Sequence, residues 1–148
     1  ELVDAFADRA AGVAEEYVIG VPDEPSKPDY AEGHYQAVLE ALDTFPARPT
    51  AFFCAADFRA GPVMRALRQH GLQVPEDVSV VGIGNTPWGV WLDPPLTSVD
   101  LGQAQMARLA LPLLEEPAPP APQLLHVAPQ LIERQSTGHV PASASPQS

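Results

Sequence analysis

The sequence predicts an α/β fold built on a parallel sheet, and three observations in its central part support that class. Residues 50–56 form a continuous apolar run with β-branched and aromatic members, which is typical of a strand buried on both faces. Apolar side chains recur at helical spacing from Phe58 to His70, and Gly71 stands where a left-handed C-cap belongs. A second apolar run, Val78–Ile83, has the length of a strand. Strand, helix and strand make a βαβ unit, which indicates a parallel sheet.

The elements before this unit extend the same alternation. Residues 1–14 predict an amphipathic helix, and residues 15–20 predict a short strand. After a proline-rich loop, Ala31–Phe45 predicts a second helix. The resulting order α-β-α-β-α-β is typical of a doubly wound, three-layer arrangement with helices on both faces of the sheet.

The pattern changes after the central part. Gln103–Glu115 predicts a further helix, and residues 116–122 form a proline- and alanine-rich linker. Residues 123–133 predict a late strand with Pro129 at a bulge or an edge. Residues 138–148 are small, polar and proline-containing, so we expect a disordered tail.

Composition argues against nucleic-acid binding by this segment and against a membrane span. The chain of 148 residues contains 8 Lys and Arg against 19 Asp and Glu, a formal charge of −11, and no basic cluster that could neutralise phosphates. Any contact with DNA is therefore expected from a part of the protein outside this sequence. No apolar run approaches the roughly 20 residues of a membrane span, and no signal peptide is recognisable. The single cysteine, Cys54, fits a core position in a cytoplasmic protein.

The carboxyl ends of the two central strands are the expected ligand position, because parallel sheets bind ligands beyond those ends. Ala56 and Asp57 follow the first strand, and Gly84 and Asn85 follow the second. Asp57 is either the N-cap of the next helix, which we favour, or a carboxylate that binds ligand hydroxyls. Asn85 either contacts ligand or satisfies backbone groups at its strand end.

The sequence gives little support for catalysis or metal binding. The four histidines have no metal-ligand spacing with one another or with Cys54. Gly82-Ile83-Gly84 lacks the third glycine and the clear following helix of a dinucleotide-binding turn. Neither a phosphate loop nor a nucleophile elbow occurs. We therefore predict no catalytic residue, no metal and no cofactor, and a Rossmann-like enzyme is the least favoured alternative.

Several sequence pieces occur together in a specific order and spacing. They are Pro49-Thr50-Ala51 with Ala56-Asp57, Arg65-Ala66-Leu67 through Gly71-Leu72, Val74 through Gly82, Pro94 through Val99, and Leu131 through Thr137. In these pieces the chain resembles the effector-binding domain of the lac/gal repressor (LacI/GalR) family of bacterial transcription regulators. The resemblance covers most of Val18 to Thr137.

The resemblance implies a type I periplasmic-binding-protein-like fold, in which two parallel-sheet subdomains close over a small ligand. Residues 1–137 would be the C-terminal portion of the effector-binding and dimerisation domain, with residues 96–116 crossing into the other subdomain. The sequence lacks an initiator Met, and the helix Gln103–Glu115 has an apolar face without an obvious local partner. We therefore expect an incomplete subdomain, with the rest of the domain and the DNA-binding headpiece outside this sequence.

The function that the resemblance implies is allosteric control of transcription in the cytoplasm. A sugar or another small-molecule effector would bind the cleft, and a homodimer would transmit its binding to the DNA-binding headpieces. The alternative from another class is a solute-binding protein of a sugar transport system with the same fold.

Two departures from the family pattern leave the effector class open. Ala56 stands where many sugar-responsive members have Asn, and Gly84 replaces an Asp of the Gly-aromatic-Asp turn. Without these polar groups, a smaller, more apolar or non-sugar effector, or a lost effector response, becomes an alternative. The resemblance also implies Asp29, Tyr30, Leu101 and Gln103 near the ligand. The alternatives are that Tyr30 is a surface loop tyrosine and that Leu101 and Gln103 only start a helix.

Two tryptophans in a loop rich in proline and glycine predict an exposed anchoring patch. Trp88 and Trp91 follow the second strand, and packing or a homodimer interface is favoured over ligand stacking. Arg59 and Val63, on the helix after the first strand, are assigned to the same interface.

Overall fold

The computed structural model describes residues 30–44, 48–115 and 124–139. The elements in chain order are α1 (Tyr30–Thr44), β1 (Ala51–Phe53), α2 (Asp57–Gln69), β2 (Ser79–Ile83), α3 (Pro87–Val90), β3 (Thr97–Asp100), α4 (Gln103–Glu115) and β4 (Gln130–Ile132). This alternation confirms the predicted α/β class. The helix and strand predicted within residues 1–20, the linker, and the tail from residue 140 onward lie outside the described residues.

The described sheet has four strands in the order β1-β2-β3-β4. β1, β2 and β3 are parallel neighbours, as the βαβ pattern predicts, and β4 pairs antiparallel with β3. The late strand is shorter than predicted, since only Gln130–Ile132 pair, and Pro129 lies just before them. Proline lacks the backbone N–H that a ladder needs, which explains its position outside the paired residues.

The segment predicted as a crossover is itself a strand of this sheet. Thr97–Asp100 form β3, with Val99 paired to Ile83 of β2 and to Leu131 of β4. Four residues after two prolines are too few to show strand periodicity, so the neighbouring strands define this element. The chain therefore enters α4 directly from the sheet, with two residues between the end of β3 and the start of α4.

One helical turn, α3, is missing from the sequence prediction. It spans Pro87–Val90, with Pro87 at its first position, where the missing N–H has no cost. Four residues cannot show a helical period. The turn holds Trp88 and Trp91 on the surface between β2 and β3.

The core lies where α1 and α2 pack together and α2 packs on β2. Along β2, burial alternates, with Val80 and Gly82 buried and the residues between them half-buried. The buried apolar residues that form one cluster are Tyr35, Val38, Cys54, Ala60, Val63, Met64, Ala66, Leu67, Val78, Val80 and Leu96. One face of β2 is thus covered by the helical layer.

Strand β1 is not buried on both faces, contrary to the prediction from its apolar run. Ala51 and Phe53 are exposed, Phe53 by 54%, whereas Phe52 is half-buried. β1 is the terminal strand of the described sheet, and it therefore pairs with β2 alone among the described strands. Burial begins at Cys54, just after the strand.

Helix α4 has the predicted bounds and shows an apolar surface. Every side chain described in it is exposed, including Met106, Leu109, Leu113 and Leu114. This agrees with the expectation that its apolar face lacks a local partner. Among the described helices, none is both long enough and apolar enough to cross a membrane.

Candidate functional site

A cleft of about 390 Å³ lies beyond the carboxyl ends of β2 and β3, beside the first turns of α4. Its lining residues are Gly84, Asn85, Asp100, Gly102, Gln103, Ala104, Gln105, Arg108, Ala128 and Gln130. Amide and charged side chains predominate, and no described aromatic residue lines it. The cleft is therefore suited to a polar ligand that makes several hydrogen bonds.

Asp57 forms a buried strand-end network with Thr86 and Ser98. The hydroxyl of Ser98 donates to Oδ1 of Asp57 at 2.6 Å, and the backbone N–H and the hydroxyl of Thr86 donate to Oδ2 at 2.6 and 2.9 Å. Asp57 is only 2% exposed. Both of its oxygens are satisfied inside the protein, and it joins the start of α2 to Thr86, after β2, and to Ser98 within β3.

The prediction that Asp57 is the N-cap of α2 is wrong. Ala56 occupies the N-cap position in an extended conformation, and no side chain caps the helix. Asp57 is the first helical residue, and its carboxylate bonds the neighbouring strand ends instead of its own helix. A sequence cannot distinguish these two uses, because both need an acid at the strand-to-helix junction.

Gly82 makes room for this carboxylate. A Cβ atom at Gly82 would overlap Oδ1 of Asp57 and lie 2.8 Å from Cδ2 of Leu96. The sequence presents Gly82 as part of a weak dinucleotide motif, but the structure shows a different reason for a glycine. The absent side chain lets α2 approach β2 closely enough for the network to form.

Asn85 forms hydrogen bonds both with Ser98 of the strand-end network and with Asp100, which lines the cleft. Its backbone, with φ 47°, turns the chain after Gly84, whose φ is 121°. The N–H of Asn85 donates to the hydroxyl of Ser98 at 3.0 Å, and its side-chain Nδ2 donates to Oδ2 of Asp100 at 3.0 Å. Oδ1 of Asn85 accepts from Nη2 of Arg134 at 2.6 Å. Asn85 therefore bonds side chains as well as shaping the strand end.

Asp100 supplies a carboxylate to the wall of the cleft. Besides the bond from Asn85, its Oδ1 accepts from the N–H of Gly102 at 2.7 Å. The hydrogen bond from the Asn85 side chain, and then that from the Gly102 backbone, lower the pKa of Asp100 below its ordinary value of 3.8. Asp100 is thus ionised at neutral pH.

The C-terminal segment forms hydrogen bonds with residues near the starts of β2 and β3. Nη1 of Arg134 donates to the carbonyl of Leu96 at 2.6 Å, and the hydroxyl of buried Ser136 donates to the carbonyl of Val80 at 2.6 Å. Ser136 also accepts from the N–H of Thr97 at 2.8 Å. This segment was matched in the sequence by resemblance alone, and its side chains hold β2 and β3 in register.

Three of the residues predicted to contact ligand line the cleft, namely Gly84, Asn85 and Gln103. Asp57 is buried in its network, and Ala56 and Leu101 do not line the cleft.

Two other predicted ligand residues cannot be placed at the cleft. Tyr30 begins α1, and Asp29 lies outside the described residues.

Sequence reasoning missed four polar residues of the cleft, Asp100, Gln105, Arg108 and Gln130. Asp100 ends a strand that the sequence presents as a crossover, and Arg108 lies one turn into α4. Gln130 comes from β4, which reaches the cleft by pairing antiparallel with β3. The one signal in the sequence is a polar residue at the end of a strand. It can be used only once Thr97–Asp100 is recognised as a strand.

The predicted interface residues divide into exposed and buried positions. Trp88 is 74% and Trp91 82% exposed, and Arg59 is half-buried with its guanidinium 5.7 Å from the ring centre of Phe58. Val63 is only 5% exposed and belongs to the core, so its assignment to an interface is wrong. The helical position of Val63 turns it toward the other core side chains of α2.

The described part of the chain contains neither a candidate metal site nor a reactive thiol. Residues 30–44, 48–115 and 124–139 contain no group of three or more His, Cys, Asp or Glu that could hold a metal ion. Desolvation by burial raises the pKa of the Cys54 thiol to about 12, although the charge of Arg59 partly opposes this. The thiol is therefore protonated and unreactive at neutral pH.

Comparison with known proteins gives one consistent family. The chain matches the model of the periplasmic binding protein-like domain over residues 3–137. It is 45% identical over 95 residues to the transcriptional regulator MalR of Streptomyces coelicolor, covering 62% of this chain and 28% of MalR. It is 32% identical over 132 residues to the transcriptional repressor PurR of Yersinia pestis, covering 87% of this chain and 37% of PurR.

A solved structure supports the same fold. The crystal structure of a LacI family transcriptional regulator from Arthrobacter sp. FB24, in complex with lactose, superimposes with a TM-score of 0.72 and 25% sequence identity. The match covers 91% of this chain and 50% of that regulator. This chain therefore spans about a third of the length of the curated relatives and half of this structure.

The sequence left two classes open, a transcriptional regulator and a solute-binding protein, and the relatives favour the first. MalR, PurR and the Arthrobacter protein are transcriptional regulators, which favours a regulator over a solute-binding protein of a transport system. The chain belongs to the family of periplasmic binding protein-like domains, and within it to the effector-binding domains of the LacI/GalR regulators.

Proposed function

We propose that this chain is the effector-sensing part of a cytoplasmic LacI-type transcriptional regulator. A small molecule in the cleft between α4 and the ends of β2 and β3 would favour one conformation of the whole protein. That choice would change the operator affinity of a headpiece outside this sequence. The observation that carries the proposal is the polar cleft at the strand ends, in a chain whose relatives are transcriptional regulators.

The effector we propose is a sugar or a related polar metabolite. Asn85, Gln103, Gln105 and Gln130 provide amides that can both donate and accept hydrogen bonds, as hydroxyl-rich ligands require. The Arthrobacter relative was crystallised with lactose. Ala56 and Gly84 add no polar side chain, so polar recognition in this half of the site falls to Asn85 and to residues of β3, α4 and β4.

The exposed surface around α3 is the proposed homodimer interface. Trp88 and Trp91 are joined there by Phe58 and Val90, which are 55% and 50% exposed. Large aromatic side chains concentrated at one exposed place are typical of interface centres. Replacing both tryptophans with serine should shift the protein from dimer to monomer in sedimentation velocity, whereas replacing exposed Gln69 with alanine should not.

The function can be tested by operator release with the full-length protein. Fluorescence anisotropy of labelled operator DNA is followed while sugars, nucleosides and polyols are added, and thermal shift is measured with the same compounds. An effector should both raise the melting temperature and change operator affinity. Gln103→Ala, in the cleft, should weaken the response, and Gln69→Ala, at the exposed end of α2, is the matched control.

Two results would contradict the proposal. One is a full-length protein without operator binding, and the other is operator binding that no metabolite changes. An equal response of the Gln103→Ala and Gln69→Ala variants would instead move the effector away from this cleft.

A further inference from the structure

The cleft contains one carboxylate among its described lining residues, and that carboxylate is already fixed. Asp100 accepts one hydrogen bond on each oxygen, from Asn85 and from the N–H of Gly102. A carboxylate has about four lone-pair sites, so each oxygen can still accept another donor. Because its orientation is set before binding, a ligand does not bear the entropic cost of ordering it.

A second layer of hydrogen bonds holds this arrangement from behind. Arg134 donates through Nη2 to Oδ1 of Asn85 and through Nη1 to the carbonyl of Leu96. Asn85 consequently has an acceptor facing Arg134 and a donor facing Asp100, and rotating its amide would break both bonds. Arg134 thus positions Asp100 without lining the cleft itself.

Among the described residues that follow the neighbouring strands, none places a second carboxylate in the cleft. Asp57 is buried with both oxygens bonded, and Ala56 and Gly84 have no polar side-chain atoms. The described carboxylate that remains at the cleft is Asp100, which is ionised at neutral pH. An ionised acceptor bonds hydroxyl or ammonium donors and repels ligand anions.

We propose that Asp100 is the specificity-determining acceptor of the cleft, and that the effector presents hydroxyl or ammonium groups to it. Asn85 and Arg134 act as positioning residues. This inference rests on the proposed effector-sensing function and specifies its ligand chemistry. Arg108, on the α4 side of the cleft, is available for an acceptor group elsewhere on the same ligand.

The test is isothermal titration of the full-length protein with three classes of probe. Lactose and maltose present hydroxyls alone, glucosamine adds an ammonium group, and glucose phosphate adds an anion. We expect binding from the hydroxyl or the ammonium class. Asp100→Asn, which removes the charge at constant shape, should raise the Kd roughly tenfold to a hundredfold, with the larger factor for an ammonium ligand. Exposed Asp93→Asn is the matched control and should leave the Kd within about twofold.

A second variant separates positioning from recognition. Arg134→Met keeps the carboxylate but removes its support, so it should weaken hydroxyl and ammonium probes by the same factor. Asp100→Asn should instead lower the preference for the ammonium probe. Arg134→Lys, which can restore one of the two hydrogen bonds, should recover part of the affinity.

Several outcomes would overturn the inference. It fails if glucose phosphate binds tightest, if Asp100→Asn binds like the Asp93→Asn control, or if none of the probes binds. When none binds but another metabolite releases operator, the effector-sensing function stands and only the role of Asp100 is lost. When no metabolite releases operator, both fail.

Discussion

The strand-end network buries and hydrogen-bonds its side chains, whereas helix α4 leaves its side chains exposed. In the network, Asp57, Thr86 and Ser98 are joined by hydrogen bonds of 2.6–2.9 Å from residues up to 41 positions apart, and Asp57 and Ser98 are fully buried. In α4, the leucines along the helix remain exposed, Leu113 by 44% and Leu114 by 82%. The network thus pairs its own polar groups, whereas α4 leaves an apolar surface uncovered in the described part of the chain.

The difference distinguishes hydrogen bonds that are complete within the described chain from an apolar surface that has no partner within it. Buried polar groups must be paired where they are, because an unpaired one costs about 1–3 kcal/mol. An apolar helix face can remain exposed until a partner packs on it, since its exposure costs solvation free energy but leaves no hydrogen-bonding group unpaired. The network is therefore complete within the described chain, and we propose that another part of the protein packs on the apolar face of α4.

The largest expected effect comes from removing the centre of the network. Asp57→Ala leaves the donors of Thr86 and Ser98 without their acceptor and opens a gap beneath Gly82. We expect the free energy of unfolding to fall by about 3 kcal/mol or more. Chemical denaturation followed by circular dichroism measures the change.

The control for this variant is Asp93→Ala, at an exposed aspartate, which should change the stability by less than about 0.5 kcal/mol. A stability loss of similar size in the two variants would mean that the network contributes nothing specific.

Helix α4 should show an effect that depends on how much of the protein is present. Leu109→Gln with Leu113→Gln should leave this chain within about 0.5 kcal/mol of its original stability, because both leucines are exposed here. In the full-length protein, where we expect the face to be covered, the same pair should cost about 2 kcal/mol or more. Urea denaturation of the two lengths compares them, and equal losses would show that no other part of the protein covers α4.

The smallest effect on stability at neutral pH concerns the core thiol. Burial raises the pKa of Cys54 to about 12 from 9.0, so the unfolded chain ionises first as the pH rises. The contribution of Cys54 to stability is thus complete below pH 9 and is lost as the pH approaches 12. Near pH 8, a chromogenic disulfide reagent should label Cys54 only after denaturation.

A cysteine placed on α4 gives the matched comparison. In a variant with Leu113→Cys, the new thiol should react with the same reagent at once in the folded chain. Rapid labelling of Cys54 in the native protein would contradict its burial in the core.

The helices were predicted well because their evidence is local. Apolar spacing and Gly71 define α2 to within one residue at each end, and α4 has the predicted bounds. The short elements were not found, because α3 and β3 have four residues each and show no period of their own. β3 exists because β2 and β4 pair with it, and this pairing brought Asp100 and Gln130 to the cleft.

By itself, the sequence determined the α/β class, the βαβ unit and the family. Each of these rests on residue order and spacing, which folding does not alter. Only the tertiary structure decided which polar groups face the cleft. Asp57 lies in the interior because Gly82, Thr86 and Ser98 surround it from two other segments, whereas Asp100 lines the cleft. Residues far apart in the chain compete for the same hydrogen bonds, and their three-dimensional arrangement settles that competition.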